Sequence, residues 1–184
     1  MKTDYQGEVM TDDQVIDTCI LLYADGIENV HYGIGNVLIE IAPYEEYLLQ
    51  LASSLSDAGS IITEALRLNS PAQLIPRIAR DESSIHGVNI SPGMPVYLSL
   101  GSANRDEAVF DQADYLVPGR EGSKILTFGI GRHACIGASL ATLQTTSLCT
   151  SLAKHKISVT TNRENVEYIP RFGHRWPKRV EIKF

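Results

Sequence analysis

The chain has 184 residues, a formal charge of −6 at neutral pH, 43% apolar and 21% charged residues. That length suits one domain with a real core, and the balance is that of a globular chain rather than a disordered one. The acidic charge argues against a nucleic-acid partner, no apolar run approaches the roughly 20 residues that span a bilayer, and Met1-Lys2-Thr3-Asp4 is unlike a secretory leader, so the expectation is one cytoplasmic domain over 1–184, without a membrane partner.

Thr11-Asp12-Asp13-Gln14 reads as a capping box, with Thr11 at the N-cap and Gln14 three residues on. Val15, Cys19, Leu22, Gly26 and Val30 then follow at helical spacing, and the pattern runs to about Ile41, before Pro43. At 1.5 Å per residue this predicts a helix of about 45 Å. A second helix is expected from about Pro43 to Leu55. Asp57-Ala58-Gly59 should break the chain, and a third helix should run from about Ser60 to Leu68, ending before Pro71. The segment from Ile85 to Leu98 predicts short strands around tight turns. Ser102 to Lys124 has little periodicity and much Asp, Gly and Pro, which predicts a long ordered loop of functional type. A last helix is expected from about Gly137 to Lys154, then short strands and turns to Phe184. The fold class is therefore mainly α with small β-sheets, α+β.

The three cysteines, Cys19, Cys135 and Cys149, are odd in number and widely spaced, which reads as reduced thiols. No paired Cys/His spacing suggests zinc. Cys135 stands apart. It lies in Phe128-Gly129-Ile130-Gly131-Arg132-His133-Ala134-Cys135-Ile136-Gly137, a glycine-dense loop running straight into a helix. Backbone N–H groups and the helix N-terminus stabilise a thiolate at such a junction, and glycines let the backbone approach a flat ligand or the sulfur. The alternative is a buried structural cysteine beside a helix start.

This segment resembles the haem-binding loop of the cytochromes P-450, F-G-x-G-x-x-x-C-x-G. The resemblance implies haem, iron protoporphyrin IX, as cofactor, with Cys135 as the axial thiolate ligand to the metal. It places Phe128, Gly129, His133 and Gly137 at the cofactor, His133 at a propionate and Phe128 near the sulfur. Glu64-Ala-Leu-Arg67 is similar to the family's E-x-x-R, about seventy residues before the cysteine. By the resemblance, Glu64 and Arg67 form a buried structural network with a third arginine, which Arg120 supplies here. As an isolated pattern, Glu64 and Arg67 could equally be a solvated ion pair. Arg77 matches a propionate partner. Gln73, Leu74 and Ile75 match a strand edge that faces substrate.

The long first helix would cross the distal face of the haem. The family's [A/G]-G-x-[D/E]-T appears as Asp25-Gly26-Ile27-Glu28-Asn29. Glu28 and Asn29 occupy the catalytic positions, but Asn29 replaces the threonine that steers protons to dioxygen. An amide can hold a water, yet it lacks the hydroxyl's relay geometry. The resemblance covers nearly the whole chain but only the C-terminal half, or less, of the family's fold. The expected fold is thus a truncated cytochrome P-450, with the preceding helices absent and the haem open on one side.

Two functions follow as expectations. One is a haem-thiolate monooxygenase acting on a small organic substrate. It would take electrons from a ferredoxin-type redox partner, and a second polypeptide or self-association would complete its site. The other is a non-catalytic truncated pseudoenzyme or scaffold subunit, haem-binding or haem-free.

Overall fold

The computed structural model describes residues 4–5, 8–53, 55–120 and 124–183. Two short strands, β1 (Asp4–Tyr5) and β2 (Glu8–Val9), pair antiparallel ahead of the first helix, α1 (Asp12–Ile41). α1 has the expected start and length. The Thr11 hydroxyl accepts from Gln14 N at 3.2 Å, and the Gln14 side chain accepts from Thr11 N at 2.9 Å. These bonds satisfy two otherwise unpaired donors of the first turn.

The next two helices differ from expectation at their boundaries. α2 spans Glu45–Ser53, since Pro43 and Tyr44 are spent on the turn after α1. α3 spans Leu55–Leu68, so it begins five residues before Ser60 and contains Gly59. A mid-helix glycine costs about 1 kcal/mol. Packing outweighs it, because Ala58, Ile61, Ile62 and Ala65 are all fully shielded on one side of α3. Each buried isoleucine contributes about 1.5–3 kcal/mol.

β3 (Leu74–Ile78) pairs antiparallel with β6 (Pro95–Ser99). Between them β4 (Ser83–Ile85) and β5 (Val88–Ile90) form a hairpin. Its two-residue turn, His86-Gly87, has φ of +48° and +80°. Positive φ at both positions matches the turn's twist to that of its strands. A single helical turn, α4 (Leu100–Ala103), opens the long loop. Phe110, Ala113 and Leu116 then anchor that loop to the core, each at most 4% exposed. Residues 121–123 of the loop, like Ser54 and Phe184, lie outside the described residues. α5 (Ala138–Lys154) follows, and β7 (Ser158–Val159) pairs with β8 (Ile182–Lys183). The architecture is mainly helical with small two-stranded sheets.

The core joins the C-terminal part of α1 to α2, α3 and α5 through Val37, Leu38, Ile41, Leu51, Ile62 and Cys149. α1 meets the tail so closely at Gly35 that a Cβ there would lie 2.9 Å from Pro177 and 3.2 Å from Val180. A buried polar cluster ties α1, the end of α3 and the tail together. Glu40, 2% exposed, accepts from Asn69 at 3.1 Å and from Arg163 Nε at 2.6 Å, and Asn69 also donates to the Tyr168 hydroxyl. Burial alone would weaken the Arg163 charge. The hydrogen bond and attraction from Glu40 outweigh that and hold the guanidinium above its usual range. The N-terminal part of α1 is different: Val15 and Leu22, on the apolar stripe read from the sequence, are 45% and 52% exposed.

Candidate functional site

The cysteine loop folds back on itself. Cys135 N donates to Phe128 O at 2.7 Å, which closes the segment into a compact turn. A single 3-10 turn, Gly131–His133, lies inside it. Gly129 has φ of +67°, and a Cβ there would stand 3.4 Å from His133 O, so the loop's closure requires glycine. Gly137 is the N-cap of α5, and a Cβ at that position would be 3.9 Å from the Cys135 sulfur. Cys135 is a free, exposed thiol. The buried-cysteine reading therefore does not hold for Cys135. It does describe Cys149, whose thiol burial pushes up to about 12. Phe128 is half-buried against the core, while His133 is exposed.

Glu64, Arg67 and Arg120 come together behind this loop. Arg67 is fully shielded and makes a two-pronged contact with Glu64, Nε to Oε2 and Nη2 to Oε1, both at 2.8 Å. Arg120 Nε donates to Glu64 Oε1 at 2.8 Å, and Val117 N does so at 3.1 Å. The trio carries one surplus positive charge, which backbone oxygens absorb. Arg67 donates to the carbonyls of Asn104, Ala113 and Tyr115, and Arg120 to that of Gln112. Phe110 lies under the Arg67 guanidinium at 5.0 Å. The arrangement is a peg of α3 to which the whole loop from Asn104 to Arg120 is tied.

A second clamp, not recognised in the sequence, acts closer to the cysteine. Asn104 is fully buried. Its Oδ1 accepts from Leu126 N at 2.7 Å, and its Nδ2 donates to the hydroxyls of Ser70 and Thr127, each at 3.2 Å. Thr127 donates to Leu66 O at 3.1 Å. Leu126 and Thr127 immediately precede Phe128, so this clamp fixes the entry to the cysteine loop. Arg105 caps the C-terminal carbonyl of Leu68 with both Nε and Nη2, and it pairs with Asp114. In the sequence, Asn104 and Arg105 stand only as part of the long loop from Ser102 to Lys124. Their partners lie up to 37 residues away, and no local pattern announces them.

The remaining candidates are spread over β3 and α1. Arg77 is half-buried on β3 and donates to Pro76 O at 2.8 Å; among the described residues no carboxylate pairs with it. Gln73 turns its amide back to Ser70 O at 2.6 Å and lies against Gly101. Leu74 and Ile75 are half-buried, and the turn at Gly173 packs on Leu74. On α1, Glu28 is exposed and faces Arg171 at 3.5 Å. Asn29 is half-buried, and its Oδ1 is shielded without a hydrogen-bond partner.

The family model for cytochrome P450 matches residues 58–168, which hold the Glu64 peg, the Asn104 clamp and the cysteine loop. The chain belongs to the cytochrome P450 family. It is 34% identical over 179 residues to the biotin biosynthesis cytochrome P450 of Bacillus subtilis, covering 97% of this chain and 45% of that one. It is 33% identical to cytochrome P450 109 of Bacillus spizizenii, covering 100% of this chain and 47% of the relative. Among solved structures it is similar to P450BioI in complex with an acyl carrier protein ligated to hexadec-9Z-enoic acid, with a TM-score of 0.85, 33% identity and coverage of 95% and 45%. The chain thus spans about half the length of the relatives it matches. Over that part it has the cytochrome P450 fold that its motifs implied.

Cytochromes P450 bind haem, generally act as haem-thiolate monooxygenases and use redox partners such as ferredoxins. The donor set of this chain fits that cofactor. Among the described residues no group of three His, Cys, Asp or Glu side chains could hold a metal. A lone exposed thiol can hold only a metal whose other positions are filled by a ligand of its own, as a porphyrin fills them. Among the described residues no helix is long and apolar enough to cross a membrane.

Proposed function

We propose that this cytochrome P450 is the haem-thiolate part of a monooxygenase for a small organic substrate. Cys135 would hold the iron through its thiolate, Phe128, Gly129 and Gly137 shape the loop around it, and His133 and Arg77 would bind the propionates. Haem, when bound, supplies the activation of dioxygen, with two electrons from a ferredoxin-type partner. The protein's own contribution is positional. The Glu64–Arg67–Arg120 peg and the Asn104 clamp hold the loop that presents the sulfur. Leu74 and Ile75, with the Gln73 turn, supply one wall for substrate. Glu28 and Asn29 handle protons on the distal side, where the shielded Asn29 Oδ1 is an acceptor that no hydrogen bond satisfies. The remaining part of the cytochrome P450 fold covers the apolar face of α1, and the protein works in the cytoplasm.

The observation that carries this reading is the free thiol of Cys135, exposed at the head of α5 in a loop that the core fixes from behind. Reduced, haem-loaded protein under carbon monoxide is expected to show the red-shifted Soret band of thiolate ligation. Cys135→Ala should abolish it, and Cys19→Ala and Cys149→Ala should leave it. A thiolate spectrum that survives Cys135→Ala overturns the assignment. A second reading, a haem-binding scaffold subunit without turnover, is favoured by Asn29 in place of threonine. Reductant-driven substrate oxidation by the completed assembly decides against it.

A further inference from the structure

Counting from its N-terminus, the first α1 side chain among the described residues to bond another element is Glu28, which meets Arg171 at 3.5 Å. Both side chains are about half exposed, so the ion pair alone is weak. What distinguishes it is how Arg171 is held. Its guanidinium lies 4.2 Å from the centroid of the Trp176 ring, and Trp176 is 2% exposed. Trp176 in turn stacks on Tyr32, with centroids 4.3 Å apart and planes 11° from parallel. Tyr32 stands one turn beyond Glu28, on the same face of α1. His174 closes the other edge of the indole at 4.6 Å.

The backbone that bears Arg171 is equally fixed. Arg171 N donates to Ile169 O at 2.8 Å, His174 N to Arg171 O at 3.2 Å, and Ile169 N to Trp176 O at 2.8 Å. Gly173, at φ of +74°, accepts from both Gln73 N and Leu74 N. The tail turn is therefore bonded to the start of β3 and stacked on α1 together.

We infer that Arg171 is a positioning residue for Glu28: stacked on Trp176, it holds the carboxylate of the Asp25–Asn29 turn in place. The inference rests on α1 being the distal helix, as proposed above. It adds that the tail turn, 169–176, sets the geometry of proton delivery. A guanidinium over a fixed indole restrains the carboxylate at one point, where a free glutamate would sweep the rotamers open to it.

Trp176 is the sole tryptophan of the chain, so its emission reads the stack directly. The haem-free full chain is compared with Arg171→Ala, Glu28→Gln and the double variant. Arg171→Ala and Glu28→Gln should each shift the emission and raise acrylamide quenching. The double variant should match Arg171→Ala, because Glu28 reaches Trp176 only through Arg171. Unchanged emission in Glu28→Gln overturns the link. In haem-loaded protein, both single variants should slow reductant-driven dioxygen consumption by up to about 100-fold, the scale of a catalytic group misplaced by about 1 Å. Peroxide-driven substrate oxidation, whose oxidant arrives already protonated, should be little changed, and Arg171→Lys should restore part of the rate. An equal loss in both assays means a merely structural role and overturns the inference. A missing thiolate band in every protein, with the fluorescence coupling intact, overturns the distal role of α1 and with it the catalytic part of this inference, while the stacked link itself stands.

Discussion

Within α1, Val37, Ile39 and Ile41 are fully shielded, whereas Ile16, Ile20, Leu21 and Tyr23 are between 55% and 73% exposed. Both regions belong to one helix that opens on a capping box, so local signals account for the helix in each. Burial separates them. The C-terminal part meets α3, α5 and the tail, and it carries Asn36 and Glu40 into hydrogen bonds with Arg175 O, Asn69 and Arg163. The N-terminal part presents apolar side chains to solvent. The difference teaches that helical periodicity reports a face meant for burial, and cannot name what buries it.

The cysteines give the largest contrast between the two kinds of environment. Cys19 is exposed on the outer part of α1, while Cys149 is buried in α5. At pH 8 a thiol reagent should modify Cys19 and Cys135 promptly. Cys149 should react more than about 1,000-fold more slowly, because it is reached only through unfolding. Burial raises the Cys149 thiol from an ordinary 9.0 to about 12. The folded chain therefore keeps a proton that the unfolded chain releases. That thiol's contribution to stability is complete below about pH 9 and is lost as the pH climbs towards about 12. Mass spectrometry of the labelled chain checks the order of reaction. Equal rates at all three sites would remove the contrast.

Ion pairs sharpen the same comparison. Arg67→Ala strips a fully buried carboxylate, Glu64, of its two-pronged partner and leaves three carbonyls unpaired. The expected cost is about 3–5 kcal/mol. Lys178→Ala removes a pair with Glu167 whose side chains are 66% and 78% exposed, and it should cost less than about 0.5 kcal/mol. Urea denaturation of the two variants gives both figures. A small cost for Arg67→Ala would mean that the peg does not hold the loop.

Much of this is legible in the sequence alone. The capping box at Thr11 and Gln14 and the glycine-rich approach to Cys135 are written in consecutive residues, so local chemistry suffices. Glu64 and Arg67 are three apart, and the family pattern supplied Arg120. What could not be read depends on distant partners. Glu40 meets Arg163 across 123 residues, Asn36 meets Arg175 O across 139, and Glu28 meets Arg171 across 143. The start of α3 differs from the sequence expectation for a related reason. Gly59 is a helix breaker by propensity, and only the burial of Ala58, Ile61 and Ile62 makes it helical.

Two glycines of α1 carry the comparison down to a single methyl group. At Gly35 an added Cβ would press on Pro177 at 2.9 Å and Val180 at 3.2 Å. A proline ring has little room to yield, so α1 and the tail must part slightly. Gly35→Ala is expected to destabilise by about 1–3 kcal/mol, as overpacking does. At Gly26 an added Cβ meets nothing within 4 Å. There the same substitution removes backbone freedom from the unfolded chain and improves helix propensity. Gly26→Ala should stabilise by about 0.4–1 kcal/mol. The two variants share a helix, a residue type and a chemical change, so the opposite signs isolate the packing environment. Thermal and urea melts of both, run side by side, measure the difference. Destabilisation at Gly26 of the size expected at Gly35 would show that the outer part of α1 is already packed in solution, against a second copy of the chain. A concentration-dependent melting temperature would then accompany it.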